Sequence, residues 1–318
     1  MRAMIPKVIA TVVVALVLAG AVLWLLGADR IVSTWALEGQ REAQGAMAGA
    51  LRRLRSGDAT AVASLMAVCF GYGFFHAAGP GHGKVLIGGY GAARQVSAAR
   101  LSLVALASSL AQGLTAVVLV GAGLWLVGWS RERMTQLADE LFAPLSFLAI
   151  ALVGLWLVWR GARGLWRLQQ ARAETHDHGH DHAHHHHDHA HEGPDHVCSS
   201  CGHAHAPSPE AVAHATGLRE IIALIAAVAI RPCTGALFVL ILTAQMDAFW
   251  AGVMGAFAMA LGTASVTILV ALASVGLRKG ALAGLAESAA LARAQPIIEL
   301  AVGAIIAVIA FQLALAAL

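Results

Sequence analysis

His76-Ala-Ala-Gly-Pro80-Gly-His82-Gly-Lys84 interrupts an otherwise apolar run over 61–90. Gly79, Pro80, Gly81 and Gly83 lie within five consecutive residues, enough to kink or break an α-helix. In a membrane, broken backbone is tolerated only where it is buried in protein or lines a cavity. Polar side chains at that depth are costly and tend to be functional. On a straight helix two imidazoles six residues apart face different directions. A break at Gly79, Pro80 and Gly81 lets His76 and His82 turn toward one point. Imidazole is a borderline ligand that suits nickel, cobalt, zinc and copper. A lone His would read as hydrogen-bonded to a neighbouring helix, whereas two flanking a Gly-Pro-Gly break point to a ligand or permeation role.

The rest of the chain makes the membrane the natural solvent. Its 318 residues are 58% hydrophobic and only 12% charged, against about 25% charged in a soluble domain. A water-soluble enzyme and a disordered chain are both excluded by that balance. A formal net charge of +3, with scattered basic residues, excludes a nucleic-acid partner; the lipid bilayer is the partner the composition requires. Seven runs reach the ~20 residues needed to cross a bilayer as helix: 5–27, 61–90, 101–128, 142–160, 219–245, 249–277 and 297–318. The fold class expected is an all-α polytopic bundle. The first run follows Arg2 and Lys7 and exceeds the 7–15 apolar residues of a signal peptide, so an uncleaved span is preferred to a cleaved leader.

Lys and Arg mark the cytosolic loops. With the N-terminus inside, 13 of the 21 fall inside and 7 outside, Arg231 lying within a span. That predicts a cytosolic N-terminus, a periplasmic C-terminus and a cytosolic loop over 169–218. The domains expected are a first helix (1–27), a periplasmic segment (28–60), a three-helix half (61–168), the loop (169–218) and a second three-helix half (219–318). The 28–60 segment, with Trp35, Leu37, Met47, Leu51 and Leu54 among mixed charges, reads equally as a short amphipathic surface helix or a solvated helical linker.

A second interruption, Ile230-Arg231-Pro232-Cys233-Thr234-Gly235, falls in the middle of the 219–245 run. Arg231 needs a partner there: broken-helix carbonyls, or a carboxylate such as Glu299. Cys233 is either a soft ligand or a small buried hydrophobe, and Thr234 supplies a hydroxyl. Each half opens with a Pro/Gly-broken helix, and the two run in opposite directions. That predicts a 3+3 inverted repeat with its site near the midplane, where the broken helices meet. Of the polar residues Ser108, Ser109, Gln112, Thr115, Thr263, Ser265 and Thr267, Gln112 is expected to reach a pore and most others to serve helix packing. Gly252, Gly255 and Gly262 are expected to allow close helix approach.

Thirteen of the 16 His fall between His176 and His205, within the loop. His176, His178, His180, His182, His184, His185, His186, His187, His189 and His191, with interspersed Asp, form a low-complexity tract that builds no core. It offers overlapping sites for late first-row divalent ions, zinc included, without selecting one. His196, Cys198, Cys201, His203 and His205 follow, a ligand set for a tetrahedral site; a redox dithiol is the alternative reading of the Cys pair.

The stretch from His76 to Lys84 resembles the signature of the bacterial nickel/cobalt efflux family, the NicO and RcnA-like transporters. Arg231-Pro-Cys-Thr-Gly235, the His-rich loop, Gln40-Arg41-Glu42 and Leu51-Arg-Arg-Leu54 also fit, so the likeness spans nearly the whole chain. Related uptake permeases carry His-x4-Asp-His within a span, and this chain does not. The resemblance implies export of Ni2+ and Co2+, as substrates rather than resident cofactors, from the cytosol across the inner membrane. No Gly-x4-Gly-Lys-Ser/Thr loop is present, so an enzyme that hydrolyses nucleotide is not expected. Energy would come from an ion gradient, with protons counter-transported, because proton and metal compete for imidazole. Import of the same metals is one alternative. A membrane thiol–disulfide carrier pairing Cys69 with Cys233 is another.

Overall fold

The computed structural model describes residues 27–58, 60–79, 82–128, 130–174, 218–283 and 289–316. The N-terminal run 5–27 up to residue 26, Pro80, Gly81 and the whole His/Cys ligand set between 176 and 205 lie outside them. Among the described residues every regular element is a helix. In order these are α1 (Ala28–Arg55), α2 (Ala61–Ala78), α3 (His82–Ala93), α4 (Ala98–Ala122), the short α5 (Arg131–Leu137), α6 (Ala143–Glu174), α7 (Leu218–Ala229), α8 (Thr234–Ala244), α9 (Phe249–Ala283) and α10 (Ala289–Ala316).

Five stretches are long and apolar enough to span a bilayer: Ala61–Ala78, Ala98–Val127, Glu132–Gln170, Phe249–Lys279 and Ala294–Ala316. The pair α7 and α8 makes a sixth if taken as one span, bent by 62° at its break. Six of the seven expected runs therefore correspond to helices or broken helices. Exposed Leu103, Val118, Leu152, Leu261, Leu269 and Phe311 form the apolar exterior that lipid requires. The chain is a multi-pass membrane protein.

Local sequence sets the ends. Ser97 Oγ accepts from Arg100 N–H at 3.3 Å and Ser130 Oγ from Arg133 N–H at 3.3 Å, N-caps that satisfy orphan donors of α4 and α5. Ahead of α2, Asp58 Oδ1 accepts from both the Thr60 N–H and the Thr60 hydroxyl, each at 2.8 Å.

Of the two readings of 28–60, the amphipathic helix is the one that fits, longer than expected. The segment is a 28-residue helix docked along α2, neither short nor a solvated linker. It buries Ala36, Met47, Ala50 and Leu51. Trp35 meets Phe75 edge-on at 5.1 Å between centroids, and Gln40 Nε2 donates to the Tyr72 hydroxyl at 3.2 Å.

Two apolar cores divide the bundle. One gathers Leu65, Cys69 and Tyr72 from α2 with Cys233, Leu237 and Leu240 at α8. The other gathers Leu86, Ile87 and Tyr90 from α3 with Leu224 and Ala227 from α7. Both helix breaks, α2/α3 and α7/α8, thus fall between the cores. In the packing, α2, α3 and α8 lie on α9, α7 and α8 lie on α4, α4 packs on α9, and α6 packs on α10. Small residues permit these approaches. A Cβ on Gly262 would collide with the backbone of Phe70 in α2, and one on Gly303 would sit 2.8 Å from Leu157 Cβ in α6. Gly252 and Gly255 likewise face Thr243 and Cys69 side chains, as the sequence predicts.

Candidate functional site

At the level of the breaks lies a cavity of about 340 Å³. α2 brings His76, in its last turn, and α3 brings Lys84. Ser108, Ser109 and Gln112 come from α4, Phe147 from α6, Arg231, Pro232, Cys233 and Thr234 from the second break, and Thr263 and Thr267 from α9. Side chains as distant in sequence as His76 and Thr267 are thereby set around one space, because two helices stop and restart at the same depth.

Lys84 Nζ donates to the Ala78 carbonyl at 3.0 Å and also to the Gly79 carbonyl. It thus covers acceptors left over at the end of α2. At the second break, Gln112 Nε2 donates to the Arg231 carbonyl at 2.8 Å. Gln112 does reach the cavity, and its amide is used to satisfy broken backbone. Thr263 Oγ1 donates to the Gly73 carbonyl at 3.2 Å, crossing from α9 to α2. Ser146 Oγ donates to the Ala227 carbonyl at 2.7 Å, near the end of α7.

His76 stacks on Tyr72 one turn earlier, with centroids 6.0 Å apart and rings 8° from parallel. Cys233, 8% exposed, donates its thiol to Met259 Sδ at 3.6 Å, so a sulfur pair flanks the cavity. Cys69 and Cys233 are both free thiols. The His82 backbone begins α3; its side chain lies outside the described residues. Thr234 is exposed within the span, facing both this cavity and a second one of about 170 Å³ lined by Gln44, Tyr72 and Thr135.

Arg231 is not paired with Glu299. Its guanidinium lies over the Phe147 ring, 5.2 Å from the centroid. Glu299, 4% exposed, instead meets Arg94 at 3.4 Å and Arg160 at 3.3 Å. The reason is axial position. Arg231 sits at the break between α7 and α8, whereas Glu299, in the first half of α10, lies beside the end of α3 and the middle of α6. Four cavity contributors, Ser108, Ser109, Thr263 and Thr267, belong to the polar residues that the sequence assigns mostly to helix packing. Thr115, Ser265 and Thr267 do bond to carbonyls of their own helix. Ser108 Oγ, however, is buried with no hydrogen-bond partner among the described residues, a group free to meet a solute. The signal was present as two adjacent serines one turn before Gln112.

The described lining holds two cationic side chains and no carboxylate. Lys84 is committed to carbonyls and Arg231 to an aromatic face. The donors left for a cation are neutral: imidazole, thiol and hydroxyl. Among the described residues no group of three or more His, Cys, Asp or Glu is placed to hold a metal ion. A site of this kind suits an ion that stays partly hydrated and leaves again, as conduction demands, rather than one held permanently. The loop residues that could take zinc lie outside the described residues.

Comparison with known proteins fits this geometry. A family profile, NicO, described as "High-affinity nickel-transport protein", matches residues 62–318, from the start of α2 onward. A protein of Haemophilus influenzae named "Putative nickel/cobalt efflux system" is 27% identical over 232 residues, covering 73% of this chain and 70% of that protein. No solved structure matches.

Proposed function

We propose, from the premise that this chain belongs to the NicO family of high-affinity nickel-transport proteins, that it exports Ni2+ and Co2+ from the cytosol across the bacterial inner membrane. The ion passes through the cavity between the two helix breaks. The observation that carries this reading is the meeting of His76 and Cys233, one from each helix break, at one membrane-embedded cavity. His82, at the first residue of α3, is the third ligand proposed.

Export, rather than uptake, is supported by the His76-x5-His82 motif and by the printed name of the Haemophilus influenzae relative. The His-rich segment 175–205 collects metal on the cytosolic side before it enters. A broken helix at the start of each half, α2/α3 packed on α9 and α7/α8 packed on α4, supports two inverted halves, with seven spans once the N-terminal run is included. Imidazole binds metal only when neutral, so a proton arriving from the periplasm displaces the ion from His76, and the proton gradient drives efflux. No step of this cycle needs bond chemistry, and the protein acts as a transporter rather than an enzyme.

The test is accumulation of nickel, cobalt, zinc and copper in cells with and without the protein, measured side by side. Lower nickel or cobalt in the cells that carry it supports export. Higher content would establish import, and an unchanged content of all four metals would refute the reading.

A further inference from the structure

At the end of the bundle where α6 leaves and α7 returns, four charged side chains form a closed ring. Arg94, just past α3, meets Glu220 of α7 at 3.4 Å and Glu299 of α10 at 3.4 Å. Arg160 of α6 meets the same two carboxylates at 3.7 and 3.3 Å. Each cation touches both anions. Both cations precede the 175–217 segment and both anions follow it, so every ion pair joins the earlier part of the chain to the later part.

The surroundings strengthen the ring. The Trp156 ring lies 5.9 Å from the Arg94 guanidinium and 5.5 Å from that of Arg160. The Tyr90 hydroxyl donates to Glu220 at 2.8 Å. Gln295 Nε2 donates to Glu299 at 3.3 Å and accepts at its carbonyl oxygen from Gln95 Nε2 at 2.7 Å, another link between the two parts. Arg94 and Glu299 are each only 4% exposed.

A buried ionic cluster is a poor way simply to hold helices together. Apolar residues of similar volume do as well or better, because desolvation offsets most of the attraction. What an ionic ring offers is two acceptable states: paired and dry when the helices are together, hydrated when they part. Its position suits that use. Lys84 of the cavity lies ten residues before Arg94, and Val228 of the cavity lies eight residues after Glu220. At 1.5 Å rise per residue the ring stands roughly 12–15 Å from the cavity along α3 and α7.

We infer that Arg94, Arg160, Glu220 and Glu299 are the gate that closes the central cavity toward the end bearing the 175–217 segment, opening when the helices before and after that segment separate. This rests on the proposed transport cycle, but one arm of its test does not.

In the first arm, Cys233 of the cavity is the reporter. A membrane-impermeant methanethiosulfonate is applied to sealed vesicles from the side that carries the 175–217 segment, and modification of Cys233 is followed by peptide mapping. In Glu220→Gln/Glu299→Gln the two arginines face each other without counter-charge. The rate should rise about tenfold or more, as expected when a minor state populated at roughly 0.1–10% becomes dominant. An unchanged rate overturns the gate.

In the second arm, Gln95→Cys/Gln295→Cys is joined by a short, reducible bis-methanethiosulfonate, with linkage verified by peptide mapping and wild-type protein treated alike. The substitutions remove the Gln295–Glu299 hydrogen bond but keep all four ion pairs, so with the unlinked double-cysteine protein as reference a merely structural ring predicts nickel flux in proteoliposomes that linking does not diminish. A gate predicts loss of flux in the linked protein and recovery on reduction. Full flux in the linked protein overturns it. Absence of flux in untreated wild-type protein instead refutes the transport reading, and Cys233 modification then decides the gate by itself.

Discussion

Replacing Lys84 with Met removes an ammonium while keeping most of the stem. In the structure that ammonium satisfies the carbonyls of Ala78 and Gly79 at the end of α2. A hydrogen bond from a charged donor contributes about 1.5–3 kcal/mol. Two such bonds would give roughly 3–6 kcal/mol if the carbonyls were left bare. Lys84 borders the cavity, however, and water entering it will re-solvate part of both groups. The expected loss is therefore about 2–4 kcal/mol. The assay is the unfolding free energy of purified protein in mixed detergent, titrated with a denaturing detergent. Lys84→Arg, which keeps the charge but presents a planar fork, should fall between the two. If Lys84→Met unfolds within about 0.5 kcal/mol of wild type, the ordinary range for an unimportant surface change, the ammonium is not holding the first break together.

Gly262→Leu should abolish assembly or cost at least the ~1–3 kcal/mol typical of overpacking, since a Cβ there already collides with the Phe70 backbone; Gly45→Ala, in open space within α1, should stabilise by about 0.5–1 kcal/mol. Asp58 accepts hydrogen bonds from the Thr60 backbone first and its hydroxyl second, which hold its carboxyl below the usual value of 3.8. Its contribution to fixing the α1–α2 turn is therefore present at neutral pH and lost as pH falls through the folded-state value; a carboxyl resonance titrating at or above 3.8 in the folded protein would contradict this. Deleting 175–205 should leave nickel flux intact at saturating metal while raising the half-saturating concentration, because redundant ligands concentrate metal without forming the path; complete loss of flux in a normally inserted protein would contradict that auxiliary role.

Much of the fold is legible in hydropathy alone, because a bilayer demands about 20 apolar residues for each crossing and the chain supplies them in separated runs. The breaks are legible too, since Pro80 sits among glycines and Pro232 lies three residues before Gly235, both inside such runs. Less is legible where function depends on depth. Arg231 and Glu299 are both buried-span charges in the sequence, and nothing local says that they occupy different levels of the bundle. The same holds for Arg94, Arg160 and Glu220. Each reads as a loop charge at a span end, and only the packing of α3, α6, α7 and α10 closes them into a ring. α1 was underestimated for another reason. Its mean hydropathy is that of a surface helix, and its buried Met47 and Leu51 are matched to α2 rather than to lipid.

The central claim is that nickel and cobalt leave through the cavity at His76. It is tested most directly by loading proteoliposomes with a divalent-metal indicator and comparing wild-type protein with His76→Ala and with His76→Ala/His82→Ala, each at equal reconstituted abundance. Metal uptake into vesicles should proceed with the wild type, and a pH gradient of the proposed sense should accelerate it. Both variants should sit at the rate of empty vesicles. Undiminished flux through His76→Ala/His82→Ala would contradict the account, leaving family membership without the site.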